Sequence, residues 1–274
     1  LQDDLEAIGR SMEMLHQDFE RRFRSLVAVP IWIPTRNNRV FQQSAKSIIE
    51  IVDRLVETRG RNDSQGADAL SLLLQCRDES GSSMSARQVR DEVITLLLAG
   101  HDTTANALTW AFVLLSRHSE AADKLASEGS ESTEFAGQVL REAMRLYPPA
   151  FVFGRQCIRA CELGGVPIRS GDTILMAQWL VHRDERFFDE PAEFRPDRWE
   201  DDLESRLPPY AYFPFGGGPR ICIGKELALL EGTLILQMIG RRFRFETSNM
   251  PRPRPAVTLR PEGEVVVECR ERTG

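Results

Sequence analysis

The stretch Phe215-Gly-Gly-Gly-Pro-Arg-Ile-Cys-Ile-Gly224 limits what this chain can fold into more than any other. Gly216, Gly217 and Gly218 open backbone angles closed to other residues and lose the most entropy on ordering, which excludes a regular helix or strand. Pro219 then stiffens the chain just before a single cysteine, Cys222. From Lys225 onward, Glu226, Leu227, Ala228, Leu229, Leu230 and Glu231 are good helix formers. Cys222 therefore stands just ahead of a helix N-terminus, where free N–H groups and the helix dipole favour a thiolate. Such a loop can hold one thiolate against a flat ligand with N–H groups aimed at the sulfur. The plainer alternative is a buried cysteine in a glycine-rich turn.

The complete pattern is F-x-x-G-x-R-x-C-x-G, met at Phe215, Gly218, Arg220, Cys222 and Gly224, with Ala228 four residues on. In this pattern the chain resembles the cytochrome P450 family. The resemblance implies haem b (heme b, iron protoporphyrin IX) as cofactor, with Cys222 as its axial metal ligand. It places Phe215 close to the sulfur and pairs Arg220 with a haem propionate. Thiolate ligation pushes electron density onto iron and favours O–O cleavage, for which these proteins are the standing example.

Composition narrows the partners. The net charge of -6 and the lack of a basic tract argue against nucleic acid. The five cysteines are too scattered for a disulfide framework. Cys157 and Cys161 are four apart, but no second pair completes a zinc site. That usage suits a reducing compartment, and a cytoplasmic location is expected. No run of about 18 apolar residues predicts a membrane span, and no signal peptide opens the chain. The chain starts at Leu1, not Met, whereas family members are substantially longer. The resemblance covers nearly all of this chain but only the C-terminal portion of the family fold. The expectation is one domain, 1–274, mainly α with a small β region: a P450-like fold, incomplete at the N-terminus, in a fragment or truncated product.

Helical apolar spacing runs from about Asp3 to Val27, through Leu5, Ile8, Met12, Leu15, Phe19, Phe23 and Leu26. Pro30 and Pro34 bracket a non-helical link. A second helix is expected from about Asn37 to Arg59, then a polar loop from Gly60 to Gly66. In the family this would be a mobile lid; a plain helical hairpin fits as well. A short helix follows over Ala67 to Arg77. Ser85-Ala-Arg-Gln88 fits a capping box opening a long helix to about Ser116. The centre of that helix reads Ala99-Gly-His-Asp-Thr-Thr104, where an apolar run gives way to polar groups that local rules would not choose. A kink at Gly100, with the Thr103 hydroxyl on a backbone carbonyl, would open a groove; an N-cap-like Asp-Thr-Thr at a helix break is the plain alternative. By resemblance this is the oxygen-binding groove, formed by Ala99 and Gly100. Asp102 and Thr103 are then the acid–alcohol pair that relays protons during O2 reduction.

Helices are also expected over His118 to Glu128, Phe135 to Leu146 and Lys225 to Phe243. Glu142 and Arg145 are three apart on one helix face. The E-x-x-R pair followed by Leu-Tyr-Pro-Pro, and the later Pro191-Ala-Glu-Phe-Arg-Pro-Asp-Arg198-Trp, match two further family motifs. They imply a structural network of Glu142, Arg145 and Arg198 that locks the haem-loop side. Strand-like runs cover 156–163, 166–168 and 173–177, with turn signals at Gly164-Gly165 and Ser170-Gly171. By resemblance, Arg155 and His182 contact haem propionates. Ala150, Phe151 and Val152 would form apolar pocket wall, with Val257 and Thr258 at the tip of a C-terminal hairpin.

These residues imply a haem-thiolate monooxygenase inserting one oxygen atom from O2 into a hydrophobic small molecule. The chain has no flavin or nicotinamide fingerprint, so a ferredoxin, flavodoxin or flavin reductase would be the electron donor. Arg220, Lys225, Arg241 and Arg242 would add positive charge to its docking face. Two alternatives stand beside this reading: peroxide-driven oxidation, and an incomplete or non-catalytic haem-binding polypeptide.

Overall fold

The computed structural model describes residues 2–25, 29–61, 66–129, 132–247 and 249–272. They are mainly helical, with short two-stranded ladders, and fall into two compact units, Leu1–His101 and Asp102–Gly274.

In the first unit, α1 (Gln2–Arg24) and α2 (Arg36–Arg61) present apolar faces to each other. Met12 and Leu15 of α1 meet Ile48, Val52 and Val56 of α2, joined by Val89. The observed α1 ends before the expected Val27; Leu26 and Val27 lie outside the described residues, as do the side chains of Leu5 and Phe23. The proline-bracketed link is pinned by Asn38, whose Nδ2 donates to the carbonyls of Pro30 and Ile33 at 2.8 Å each. Gly60 and Arg61 continue α2 where a loop was expected, and 62–65 lie outside the described residues. Helix α3 (Ala69–Gln75) is shorter than expected, because Asp68 accepts the Ser71 N–H at 3.0 Å and starts it late. The capping box is present: Ser85 N–H donates to Gln88 Oε1 (2.9 Å) and Gln88 N–H to Ser85 Oγ (3.3 Å). It opens α4 (Ala86–Arg117), which runs unbroken through Gly100. Apart from the adjoining residues and the helix's own backbone, no described atom lies within 4 Å of where a Cβ would stand there, so no packing neighbour forces a break.

The second unit is organised around α6 (Glu134–Leu146), buried along almost its whole length. Leu140, Val139 and Ala143 pack with Ala111 and Leu115 of α4, Leu125 of α5 (Ser119–Ser127) and Leu236 of α9 (Lys225–Arg242). Burying each of these leucines contributes roughly 1.5–3 kcal/mol. Two glycines let α9 approach. A Cβ on Gly232 would stand 2.8 Å from Leu140 Cδ2, and one on Gly240 2.5 Å from Leu125 Cδ2.

Antiparallel ladders connect these helices. β1 (Phe153–Gln156) pairs with β4 (Thr173–Met176), and β2 (Cys161–Leu163) with β3 (Val166–Ile168). β5 (Phe243–Glu246) pairs with β8 (Glu268–Glu271), and β6 (Pro253–Pro255) with β7 (Leu259–Pro261). The strand expected over 156–163 is thus two strands. The chain leaves β1 after Gln156, and the Ser170 hydroxyl takes the Ile158 carbonyl at 2.8 Å, outside either ladder. Between β4 and α9 come α7 (Gln178–Val181), a 3-10 segment (Pro196–Asp202) and α8 (Leu203–Arg206).

Candidate functional site

Glu142 and Arg145 point inward from α6 and are fully buried. An unpaired buried charge is very costly, so each must be saturated with partners. Arg145 Nε and Nη2 hold the two Glu142 oxygens at 2.9 Å each in a planar fork. Its remaining donors reach the carbonyls of His182 (2.8 Å), Pro191 (2.7 Å) and Glu193 (3.0 Å). Glu142 also accepts from Arg198 Nε (3.0 Å), the Arg195 N–H (2.9 Å) and Trp199 Nε1 (2.8 Å). Arg198, expected from its motif, joins the pair across 56 residues. The contributions of Arg195 and Trp199 were not anticipated, although Trp199 directly follows Arg198 in the same motif.

From this hub a line of hydrogen bonds leads to the cysteine loop. Arg145 fixes the His182 carbonyl, and the His182 Nε2 accepts the Phe213 N–H at 2.9 Å. Two residues on, the Phe215 carbonyl accepts the Cys222 N–H at 2.9 Å, folding the glycine-rich loop back on itself. Gly216 and Gly218 take φ of +73° and +65°, which only glycine adopts without strain. A Cβ on Gly217 would stand 2.5 Å from the Tyr210 ring. Phe215 packs against the core around α6. Gly224 precedes α9, leaving Cys222 exposed at the head of that helix with Ile221 and the nearly fully exposed Ile223 beside it. The cysteine is therefore presented by its loop and not buried in it.

His182, expected at a haem propionate, lies inside the protein. The structure encloses the ring completely, and burial, followed by the nearby charges of Arg145 and Arg183, pushes its pKa down to about 3. Its neutral ring is a brace between hub and loop. This carries a pH prediction. An unfolded histidine titrates near 6.5, so between pH 6.5 and 3 the unfolded chain binds a proton that the folded one refuses. Stability falls as pH drops through that window, by about 2 kcal/mol at pH 5 from this group alone. Denaturant midpoints measured from pH 7.5 to 5 should show that slope, and His182→Gln should flatten it. An equal slope in both proteins would clear His182 of the effect.

Arg155 and Arg220, the other two residues expected at the propionates, are exposed. The Arg155 guanidinium lies over the Phe153 ring at 5.3 Å, on the strand next to the loop. Phe153 itself makes an edge contact with Phe213, ring centres 6.0 Å apart.

A second polar cluster surrounds Asp102. Its Oδ2 accepts from the Thr258 hydroxyl (2.6 Å) and Asn106 Nδ2 (3.1 Å), and its Oδ1 from Arg260 Nη2. Thr258 Oγ1 in turn accepts from Asn106 Nδ2 (3.1 Å) and Arg260 Nε (3.2 Å), so every member has a polar partner. Thr258, expected only as pocket wall, is thus a buried polar partner of the acid, and Val257 beside it is exposed. Asn106 and Arg260 were missed. Both had a signal: Asn106 is one helical turn from Asp102, and Arg260 stands two residues after Thr258, in the strand that Thr258 leads into. Thr103 is partly buried next to the acid; Ala99 and Gly100 are exposed.

The expected wall residues Ala150, Phe151 and Val152 are partly buried. They adjoin the same hairpin, because the Leu259 N–H donates to the Pro149 carbonyl at 2.9 Å. The Leu259 carbonyl accepts Trp110 Nε1 from α4 at 3.1 Å. One strand therefore gathers the Asp102 cluster, the wall segment and the second half of α4.

The residues present fit haem. A soft sulfur donor is exposed beside apolar Ile221 and Ile223, and two exposed arginines lie on the loop and the adjacent strand. That donor set matches an apolar iron macrocycle carrying two carboxylates. Among the described residues no group of three His, Cys, Asp or Glu side chains offers a competing metal site.

The cytochrome P450 family model matches residues 2–267. Cyclooctatin synthase of Streptomyces melanosporofaciens is 36% identical over 248 residues, covering 84% of this chain and 54% of its own length. Pentalenene oxygenase of Streptomyces avermitilis is 33% identical over 246 residues, 85% of this chain and 52% of its own. Cyclooctat-9-en-7-ol 5-monooxygenase of S. melanosporofaciens is 34% identical over 241 residues, with 83% and 51% covered. The chain thus spans about half the length of the curated relatives it matches.

Proposed function

The chain belongs to the cytochrome P450 family, and from that premise we propose that it carries the haem-ligand and proton-relay half of a monooxygenase acting on a hydrophobic small molecule. The observation that carries this reading is Cys222, exposed at the head of α9 on a loop anchored by hydrogen bonds to a buried ionic hub. Cys222 would ligate the iron, and Arg155 and Arg220 would hold the propionates. Bound haem supplies the oxygen activation; the protein positions the reactants and the protons.

Asp102 is the residue to move a proton. Arg260, Thr258 and Asn106 fix its carboxylate, so an incoming proton is taken up at a defined oxygen and passed toward the Thr103 hydroxyl beside it. Ala150, Phe151, Val152 and Val257 would contact the substrate and keep water away. Two relatives carry alkene-type names, pentalenene and cyclooctat-9-en-7-ol, so a cyclic alkene is the first substrate to try.

Electrons would come from a ferredoxin, flavodoxin or flavin reductase. Of the four basic residues expected at its docking face, Arg220, Arg241 and Arg242 are exposed. Lys225 faces Glu204 at 3.8 Å and Arg242 faces Glu271 at 3.1 Å.

The test is coupling. With an electron donor, O2 and substrate, Thr103→Ala and Asp102→Asn should keep haem and substrate binding. Product formed per reducing equivalent should fall, with peroxide appearing in its place. Loss of positioned proton transfer sets the scale at about 10²-fold in product rate. Unchanged coupling in both variants would remove the relay from the proposal.

A further inference from the structure

Cys157 and Cys161 play no part in the chemistry above. Their sulfurs lie 3.9 Å apart. Cys157 ends the run from β1 and is buried; Cys161 opens β2 and is exposed. Both backbones are held. The Cys157 N–H donates to the Asp172 carbonyl, and the Cys157 carbonyl accepts from the Gly171 N–H, each at 2.8 Å. Cys161 pairs with Ile168 in the β2–β3 ladder. The Ile158-Arg159-Ala160 link between the two cysteines is exposed.

We propose that Cys157 and Cys161 form a reversible intramolecular disulfide, a modification site on the β1–β2 turn with hydrogen peroxide as its oxidant.

The sulfurs need to close by roughly 2 Å to reach bonding distance, a side-chain movement in a pair whose backbones are already fixed close together. Besides the contact between the two sulfurs, closure gives up the hydrogen bond from the Cys157 thiol to the Arg159 carbonyl, at 2.9 Å, and that carbonyl belongs to an exposed residue that water can serve. The division of labour follows from exposure. Cys161, open to solvent, is attacked first: its thiolate displaces hydroxide from peroxide and becomes a sulfenic acid. Cys157, whose thiol is kept protonated by burial and by its neighbour Cys161, is protected from direct oxidation. Its sulfur then attacks the Cys161 sulfenyl sulfur and water leaves. In sum, two thiols lose two protons and two electrons to one peroxide, which becomes two waters. A dithiol reductant reverses the step by exchange.

Arg159 lies between the two cysteines, which makes the bond directly readable. Trypsin cutting after Arg155, Arg159 and Arg169 releases residues 156–159 and 160–169 as separate peptides. The purified chain is treated with hydrogen peroxide, its remaining thiols are alkylated, and it is digested without reductant. The two peptides should then appear joined, lighter by two hydrogens than their sum, and should separate after dithiothreitol. In Cys157→Ser, Cys161 should instead be trapped by dimedone as the sulfenic acid. The proposal is overturned if both cysteines stay alkylatable after peroxide. It is equally overturned if Cys161 is found as a sulfinic acid, or joined to Cys222 or to a second chain, while 156–159 remains free. Neither readout needs bound haem or turnover, so the result stands apart from the monooxygenase reading.

Discussion

Glu142→Ala should leave little folded protein. The substitution removes at once the carboxylate that serves the buried Arg145 guanidinium and Trp199 indole N–H and the part-buried Arg198 Nε and Arg195 N–H. Removing one partner of a buried ion pair costs about 3–5 kcal/mol. Whole domains are stable by only about 5–15 kcal/mol. Soluble yield and thermal unfolding measure the loss. Arg145→Lys should be nearly as damaging: an ammonium has three donors, whereas Arg145 serves a carboxylate fork and three separate carbonyls. A Glu142→Ala protein melting within a few degrees of the parent would show that the hub holds nothing essential. Because the hub is bonded to the cysteine loop through His182, haem retention should decline together with folding.

Cys222→Ser should keep the fold and lose the thiolate-type carbon monoxide spectrum entirely. The side chain is exposed and its N–H bond to the Phe215 carbonyl survives the change, so unfolding should be almost unaffected. A serine hydroxyl is a hard, weakly donating ligand compared with a thiolate. Cys157→Ser, which alters a cysteine remote in sequence from the loop, is the control and should retain the spectrum. The assignment of the iron ligand fails if the control loses the spectrum and Cys222→Ser keeps it.

These two residues were legible for different reasons. Cys222 sits in a contiguous run whose glycines, proline and following helix each restrict the backbone, so ten consecutive letters imply a loop geometry. Glu142 and Arg145 were visible as a helical i,i+3 pair, and Arg198 through its motif. What escaped were contacts made by backbone groups and by residues with no chemical label. The carbonyls of Pro191 and Glu193 and the N–H of Arg195 complete the hub, yet any residue type could supply them. The enclosure of His182, and with it the neutral state of its ring, is encoded by no short pattern. The Asp102 cluster was half seen. The acid stood out because it interrupts an apolar helix, but Arg260 reaches it across 158 residues, through packing of a hairpin that local sequence does not specify. The split of 156–163 into two strands follows the same rule: a run that reads as β gave way where a turn found its own hydrogen bonds.

The hub has a further consequence for how the chain is made. Glu142 and Trp199 are separated by 57 residues, so α6 is complete long before the donors from outside the helix that saturate Glu142 exist. At about 5–20 residues per second of synthesis, roughly 3–11 s pass between the appearance of Glu142 and that of Trp199. Throughout that interval the nascent chain carries an inward-facing Glu142–Arg145 pair without the later carbonyls and donors that saturate it. Closing such distant contacts also pays loop entropy before any contact repays it, which slows folding. The buried ionic hub of this polypeptide therefore stays incomplete from the making of its central helix until the tryptophan that closes it.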